Sequence, residues 1–347
     1  MAKKRKTLPA DFRDLLETGD LAALQAVFDK CELDARGGYS KTTALGFADC
    51  PDDLARWLVG QGLDVDTSSL RDQRTPLHER ASGWRSIAVL IELGADVNVR
   101  DSQGSTPMHA AAMVPHNLEA LISGGAEVDP VARRSTPLRS ALISCENAQI
   151  AMVAESAAVL IAAGAAIPDD ASELVTQIGT RLEFARSKFN PDFIEETDAG
   201  LRRLYELFDV EPVPRRLTHD GTSRIEVDAT DTKGQYAELW ALLVPVSGPA
   251  TIVQGEVLRL AGKLSREIDG NGSINWNNDF RSMTDALGVH LASGKPVDNL
   301  DELAPMLGRI RTGNAPQADL ACVRESAVAW VLGNPDPTPL PTPSYAH

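Results

Sequence analysis

Apolar residues recur at helical spacing in short segments between residues 43 and 167, with polar residues at the positions between them. Four segments carry the pattern: Leu54, Trp57, Leu58; Ile87, Leu90, Ile91; Leu118, Leu121, Ile122; and Val159, Leu160. This spacing places the apolar residues on one face of a helix. A glycine follows each segment and can adopt the positive φ that ends a helix. The pattern predicts short amphipathic helices that must be covered by their neighbours.

A second signal marks where each unit begins. Threonine recurs at nearly equal intervals, at Thr43, Thr75, Thr106 and Thr136, and proline follows the last three. Threonine can cap a helix, and proline suits the first turn because its missing N–H would have no partner there. The closing glycine lies at one fixed offset from the threonine in the first three units, whereas Gly164 lies farther from Thr136. The fourth unit therefore carries an insertion of about nine residues.

The segments Thr75-Pro76-Leu77-His78 and Thr106-Pro107-Met108-His109-Ala110-Ala111 resemble the T-P-L-H-x-A signature of the ankyrin repeat, whose period is near 33 residues. The resemblance implies a solenoid of helix pairs joined by short β-turn fingers. With an N-terminal capping repeat over residues 8–35, it predicts about five repeats over residues 8–167. It also implies that His78 and His109 form hydrogen bonds between repeats and have a structural role.

The rest of the chain also shows helical patterns, so the predicted fold class is all-α. Residues 168–210 are expected to cap the exposed end of the array, because terminal repeats need cover. Residues 211–230 are interpreted as a linker, since Pro212 and Pro214 cannot continue a helix. About five helices are expected over residues 231–332. Basic residues 1–7 and proline-rich residues 333–347 are expected to be disordered.

Composition restricts the function further. A net charge of −15 over 347 residues argues against a nucleic-acid binder. The four cysteines lack the spacing of a zinc site or a disulfide framework. No apolar stretch approaches a membrane span, and no secretory signal follows the basic start. We therefore expect a cytoplasmic protein without membrane contact, metal or cofactor.

The fingers are the most basic part of the predicted array. Residues 36–41, 69–74, 99–105 and 131–135 contain seven basic residues and two acidic ones, a net charge of +5. Such an edge would attract a protein with an acidic surface, although exposed turns also tolerate arginine without any function. Aromatic residues near the fingers would add contact area, although Trp84 is also interpreted as a candidate core residue. The predicted partner-binding residues are Arg36, Tyr39, Lys41, Arg71, Arg74, Trp84, Arg100, Arg133 and Arg134.

The C-terminal region contains two polar motifs, Gln254-Gly255-Glu256 and Asn271-Gly272-Ser273-Ile274-Asn275-Trp276. They resemble a QGE…NG-x-INW pattern of bacterial ankyrin-domain proteins, for which no activity is implied. The second motif begins like a calcium-binding EF-hand loop but has Ile274 at its sixth position and Phe280 at its twelfth. It thus lacks the glycine turn and the bidentate glutamate. The candidate residues for a C-terminal site are Gln254, Glu256, Asn271, Asn275 and Trp276.

Three functions follow from these patterns. The first is a protein–protein interaction scaffold that uses the concave face and the basic fingers. The alternative is an enzyme or a ligand-binding protein with its site in the C-terminal helices, although a nucleophile elbow, a phosphate loop and a metal cluster are all missing from the sequence. An immunity or antitoxin-like inhibitor ranks lower, because only the acidic net charge supports it. The oligomeric state and the partner do not follow from the sequence.

Overall fold

The computed structural model describes residues 3–345. The chain forms two compact units. The N-terminal unit runs to Leu182 and includes Phe189–Val213, and the C-terminal unit comprises Glu183–Lys188 and the residues from Pro214 onward. Both units are predominantly helical. No helix within residues 3–345 combines the length and the apolar character needed to cross a membrane.

The N-terminal unit begins with a small sheet and two helices. Strand β1 (Arg5–Thr7) pairs in parallel with β2 (Cys31–Gly37), which pairs antiparallel with β3 (Thr42–Thr43). Helices α1 (Phe12–Thr18) and α2 (Leu21–Lys30) connect β1 to β2. The expectation of disorder over residues 1–7 is therefore wrong for residues 5–7, while residues 1 and 2 lie outside the described residues. The segment is ordered because Lys4 Nζ donates to the Phe28 carbonyl at 2.6 Å and Leu8 N to the Arg36 carbonyl at 3.0 Å.

Pairs of helical elements follow and pack side by side. The first elements contact one another in chain order: a 3₁₀ turn (Ala44–Gly46), α4 (Pro76–Ala81), α6 (Pro107–Ala110) and α8 (Pro137–Ser144). The second elements do the same: α3 (Asp52–Gly60), α5 (Ala88–Glu92), α7 (Pro115–Ser123) and α9 (Ile150–Ala162). The inserted residues of the fourth unit form a 3₁₀ turn (Asn147–Gln149) and lengthen α9 rather than making a loop.

The local chemistry of each pair matches its sequence. Thr75 and Thr106 each form a capping box with the histidine three residues later, and a proline occupies the first turn of α4 and of α6. Gly62, Gly94, Gly125 and Gly164 follow the second elements with φ between 85° and 99°. A side chain is strained at such a φ, so glycine ends these helices at the lowest cost.

Two longer helices complete the N-terminal unit. They are α10 (Ala171–Ala185), whose last residues lie in the C-terminal unit, and α11 (Pro191–Phe208). Val175, Leu201 and Leu204 are buried in the same core as the helix pairs. Helix α11 lies close to α9, because a Cβ on Gly200 would come within 2.5 Å of the Ala151 Cα. This glycine allows the two helices to pack backbone to backbone.

The C-terminal unit is built around α13 (Val253–Ser265), which continues into a π-helical turn (Arg266–Gly270). Helix α13 packs against α12 (Thr232–Leu243), α14 (Asn278–Leu291) and α16 (Gln317–Gly333). Helix α15 (Leu300–Arg311) packs against α14 and α16. The core of this unit includes Leu239, Leu258, Met283, Leu303 and Val331.

Most of the predicted linker belongs to the C-terminal unit. Arg216 Nε and Nη2 each donate at 2.5 Å, to the carbonyls of Ala241 and Val244 at the end of α12. Carbonyls at a helix end have no partner within the helix, so the guanidinium satisfies them. Ile225 is buried and donates its N–H to the Pro335 carbonyl at 2.9 Å. Residues from Pro214 onward therefore belong to the C-terminal unit, which corrects the interpretation of residues 211–230 as a linker.

The proline-rich segment is ordered as far as Tyr345, contrary to the prediction. It runs in an extended conformation along the start of α13, where Val253 N donates to the Thr338 carbonyl at 2.8 Å. Ile252 and Pro339 form an isolated β-bridge. A run of prolines does not continue as a helix, but its backbone offers carbonyls to the unpaired N–H groups of a helix N-terminus. The helical pattern of α13 does not show that its first residues bind the proline-rich segment.

Candidate functional site

The four fingers lie side by side and are joined by hydrogen bonds in chain order. Leu70 N donates to the Lys41 carbonyl at 3.4 Å, which joins the first finger to the second. Ser102 N donates to the Asp72 carbonyl at 2.9 Å, which joins the second to the third. Arg133 Nε donates to Gln103 Oε1 at 3.1 Å, which joins the third to the fourth. The fingers therefore form one continuous surface, called the finger surface below.

His78 and His109 hold the base of this surface. His78 Nε2 lies 2.9 Å from the Ser105 carbonyl, and His109 Nε2 lies 3.2 Å from the Ser135 carbonyl. Each Nδ1 accepts a hydrogen bond from the backbone N–H of the threonine three residues earlier. The ring proton is therefore on Nε2, which donates it to the carbonyl. Burial lowers the pKa of both histidines, which favours the neutral ring. The predicted role in bonding between repeats is confirmed.

Three of the predicted partner-binding arginines donate hydrogen bonds to backbone carbonyls of the N-terminal unit itself. Arg36 Nη1 donates to the carbonyls of Lys41 and Ser68. Arg74 Nη2 donates to the His78 carbonyl at 2.9 Å. Arg100 Nη1 donates to the Gly104 and Val131 carbonyls at 3.0 and 3.1 Å. These side chains shape the fingers, which leaves less of their donor capacity for a partner.

Other predicted residues project from the finger surface. The Tyr39 ring is 80% exposed, and the Arg71 guanidinium stacks on it at 4.0 Å. Leu70 beside it is 69% exposed. Lys41, Arg133 and Arg134 are also exposed. Tyrosine and arginine are common anchors of protein interfaces, so this pair is the most interface-like feature of the first two fingers.

The tip of the fourth finger has an unusual backbone. Ala132 and Ser135 form two mutual backbone hydrogen bonds of 3.0 and 2.9 Å, which define a two-residue hairpin. Arg133 and Arg134 occupy its centre with φ of 48° and 67°. Positive φ at both central residues is the type I′ geometry, for which Asn-Gly is strongly preferred. The charge pattern of the sequence does not show this strain, because it depends on the backbone conformation of the turn.

Trp84 lies apart from the fingers, in the connection between α4 and α5. It is 73% exposed, so the alternative of a core role is wrong. The neighbouring Gly83 and Arg85 carbonyls accept hydrogen bonds from Asn117 Nδ2 at 2.9 and 3.4 Å. The backbone is thus held from inside, and the large indole is left facing outward.

In the C-terminal unit, Gln254 and Glu256 hold the proline-rich segment. Gln254 Nε2 donates to the Asn334 and Asp336 carbonyls at 2.9 and 2.7 Å. Its Oε1 accepts from Thr338 N at 3.1 Å. Gly255 between them is required because a Cβ there would lie 2.6 Å from the Leu243 carbonyl oxygen. The first motif therefore has a structural explanation.

Glu256 is fully buried. It accepts hydrogen bonds from Arg259 at 2.7 Å, from Ala250 N at 2.9 Å and from the Tyr345 hydroxyl at 2.8 Å. Burial alone raises the pKa of Glu256, but these donors outweigh it and hold the pKa below its ordinary value. The carboxylate is ionised and fully engaged, which leaves no lone pair directed at a ligand.

The second motif forms a separate network at the far end of α13. Glu267 Oε1 accepts from Asn271 Nδ2 at 3.0 Å and from Asn275 N at 2.7 Å. Trp276 stacks on Phe280 at 5.0 Å and donates Nε1 to the Arg311 carbonyl at 3.2 Å. Eleven helical residues rise about 16 Å, so this network does not converge with Glu256. Within residues 3–345, no group of His, Cys, Asp or Glu is placed to hold a metal ion.

Comparison with known proteins gives short matches. No protein-family model matches the chain. Rabankyrin-5 of Mus musculus is 35% identical over 85 residues, which cover 20% of this chain and 7% of that protein. The Homo sapiens Rabankyrin-5 is 35% identical over 78 residues, covering 18% of this chain and 7% of that protein. Ankyrin repeat and SOCS box protein 16 of Homo sapiens is 34% identical over 106 residues, covering 28% of this chain and 22% of that protein.

These matches cover less than a third of this chain and less than a quarter of each relative. They support ankyrin repeats in this chain, because the names of the relatives refer to ankyrin. The bacterial type of the C-terminal region stays a prediction.

Proposed function

We propose that the N-terminal unit is an ankyrin solenoid that binds another protein through its finger surface. The stacked helix pairs, the Thr-Pro helix starts and the ankyrin-named relatives support the repeat assignment. Ankyrin arrays serve as interaction scaffolds with many unrelated partners, so the fold supports binding but does not identify the partner. The charge of the fingers favours a partner with an acidic surface.

The Arg133–Arg134 turn carries this proposal. A non-glycine residue in the left-handed region costs about 1 kcal/mol or more, and here two adjacent arginines adopt it. Asn-Gly would form the same hairpin with less strain. Two exposed arginines at this strained tip are therefore costly for folding, and the single bond from Arg133 Nε to Gln103 does not require arginine at both positions. Contact with a partner explains why arginines occupy the tip.

The Tyr39–Arg71 pair supplies the second part of the binding surface. Stacking holds the guanidinium over the ring and fixes both side chains before a partner arrives. Pre-ordering reduces the side-chain entropy that is lost on binding. We assign direct contact to Tyr39, Lys41, Arg71, Arg133 and Arg134, and a positioning role to Arg36, Arg74 and Arg100.

The test replaces both arginines of the turn with residues that keep its hairpin geometry. The double variant Arg133→Asn, Arg134→Gly keeps the hairpin geometry, and we expect it to raise the free energy of unfolding by about 1 kcal/mol. Tagged wild-type protein and this variant would be used to capture partners from a lysate of the source cells, with quantitative mass spectrometry. We expect a retained protein to be lost by about tenfold or more in the variant, because two charged contacts are removed.

A matched control removes two exposed arginines elsewhere. Arg202 and Arg203 lie on α11, and Arg202→Gln, Arg203→Gln changes the net charge by the same amount as the turn variant. We expect this control to retain the partner at the wild-type level. Equal retention by all three proteins would contradict the proposal. Loss in both variants would show general charge attraction instead of recognition by the turn.

A further inference from the structure

A cavity of about 660 Å³ opens on the C-terminal unit between α12, α16 and the π-helical turn after α13. None of the residues predicted for a C-terminal site lines it. Its size lies within the range of small-molecule sites in proteins. The cavity is therefore a candidate site that the sequence motifs did not indicate.

Cationic side chains from all three elements meet at this cavity. Lys233 comes from the first turn of α12, Arg266 from the π-helical turn and Arg324 from α16. None of the three forms an ion pair or a side-chain hydrogen bond within residues 3–345. Elsewhere in the unit, Arg259, Arg309 and Arg311 are paired with carboxylates at 2.6 to 2.8 Å. Unpaired like charges that share a cavity repel each other, and a bound anion would relieve this repulsion.

The backbone at the cavity also differs from the rest of the bundle. A π-helical turn is rare, and such turns occur frequently at functional sites. This turn carries Arg266 and Asp269, both of which line the cavity. Asp269 accepts a hydrogen bond from Gln317 Nε2 at 3.3 Å, so its charge is partly engaged. Glu325 also lines the cavity and offers acceptor oxygens for hydroxyl groups of a ligand.

The remaining lining is suited to a ring. Tyr236 contributes its ring and stands beside Gly262, Ala321 and Val328. A Cβ on Gly262 would clash with the Trp240 ring and lie 2.8 Å from the Tyr236 hydroxyl, so the glycine leaves room on α13 for both side chains. The centroids of the Trp240 and Tyr236 rings lie 5.6 Å apart. Burial raises the pKa of Tyr236, and the charges of Arg324 and Arg266 partly offset this effect.

We propose that this cavity binds a phosphate monoester whose body carries a ring, with a mononucleotide as the simplest member of the class. The phosphate would lie among Lys233, Arg266 and Arg324, because arginine and lysine match phosphate oxygens in charge and hydrogen bonding. The ring of the ligand would lie against Tyr236, and Glu325 would accept hydrogen bonds from the hydroxyl groups of a sugar.

The test is isothermal titration calorimetry on the full chain with adenosine 5′-monophosphate as the probe. Adenosine and inorganic phosphate are titrated separately, so that the contributions of the ring and of the phosphate to binding are measured one at a time. We expect one site for the monophosphate, and binding at least about tenfold weaker for either half alone, because each lacks one set of contacts. Adenosine binding as tightly as the monophosphate would overturn the phosphate assignment. No binding of any of the three probes would overturn the site.

The key variant is Lys233→Glu. An acidic residue in the first turn of a helix suits the helix dipole, so this variant should fold. We expect it to weaken monophosphate binding by about tenfold or more, since one charged contact becomes repulsive. Arg281→Glu is the matched control, because Arg281 is exposed on α14 and does not line the cavity. Equal weakening by both variants would show general attraction of anions and overturn the proposal, as would unchanged binding in Lys233→Glu.

Discussion

Both units use buried or half-buried polar side chains to join separate segments, but only the N-terminal unit shows this in its sequence. In the N-terminal unit, His78 and His109 each join one repeat to the next across 26 or 27 residues. In the C-terminal unit, Gln254 and Glu256 join α13 to a segment 80 to 89 residues away. A repeated motif predicts its own bonding pattern, since each copy supplies the partner of the next. A motif that occurs once does not reveal its partner.

The largest expected effect comes from the buried carboxylate of the C-terminal unit. Glu256→Gln would leave the Arg259 guanidinium buried without its counter-charge, and we expect a loss of about 3 kcal/mol or more in the free energy of unfolding. Urea denaturation measures it. The control is Glu302→Gln on the exposed side of α15, for which we expect a change within about 0.5 kcal/mol. A loss as small as that of the control would remove the structural explanation of Glu256.

The next effect compares two copies of the same motif. His78→Leu leaves the Ser105 carbonyl and the Thr75 N–H without partners, and we expect a loss of about 2 kcal/mol. His109→Leu removes the same contacts at a half-buried position, where water can partly replace them, so about 1 kcal/mol is expected. Thermal or urea denaturation gives both values. A larger loss at His109 than at His78 would show that burial does not set the strength of these bonds.

A smaller effect is expected where the proline-rich segment ends. Tyr345→Phe removes the hydroxyl that donates to Glu256 but keeps the buried ring. We expect a loss of about 1 kcal/mol, because Glu256 retains its other donors. Hydrogen exchange at Val253 and Leu340 should accelerate in parallel, since their N–H groups bond across this contact region. Unchanged exchange and stability would contradict the tethering of residues 335–345 to α13.

The smallest effect is a dependence on pH in the N-terminal unit. Burial places the pKa of His78 and His109 below the ordinary value of 6.5. As pH falls below that value, these histidines bind protons in the unfolded chain but stay neutral in the folded chain. The free energy of unfolding therefore decreases as pH falls. The double variant His78→Gln, His109→Gln should lose less stability than the wild type between pH 7.5 and pH 5.5. An equal loss in both proteins would assign the pH dependence to other groups.

The sequence predicted the helix pairs well, because their starts and ends depend on nearby residues. Thr75, Pro76 and Gly94 act within one repeat, and their roles were visible in the spacing. Strand β1 was missed, since its partner β2 follows only after two intervening helices and no alternating pattern marks the strand. The order of residues 335–345 was missed for the same reason, because proline content describes the segment alone and not the helix it contacts.

The finger surface was predicted only in part. The sequence assigned Arg36, Arg74 and Arg100 to the fingers by their position, but their bonds to backbone carbonyls depend on how the turns fold. A tight turn with arginine instead of glycine at positions 133 and 134 indicates backbone strain, because such turns favour Asn-Gly. The cavity lined by Lys233, Arg266 and Arg324 had no signal in the sequence, because its residues come from three separate elements.

The most direct test of the central claim is hydrogen exchange of the chain with and without a captured partner. The central claim is that the finger surface makes the contact. We predict slower exchange at residues 69–74 and 131–135 in the complex, with little change in α13 and α16. Protection confined to the C-terminal unit, with the fingers exchanging as in the free protein, would contradict the claim.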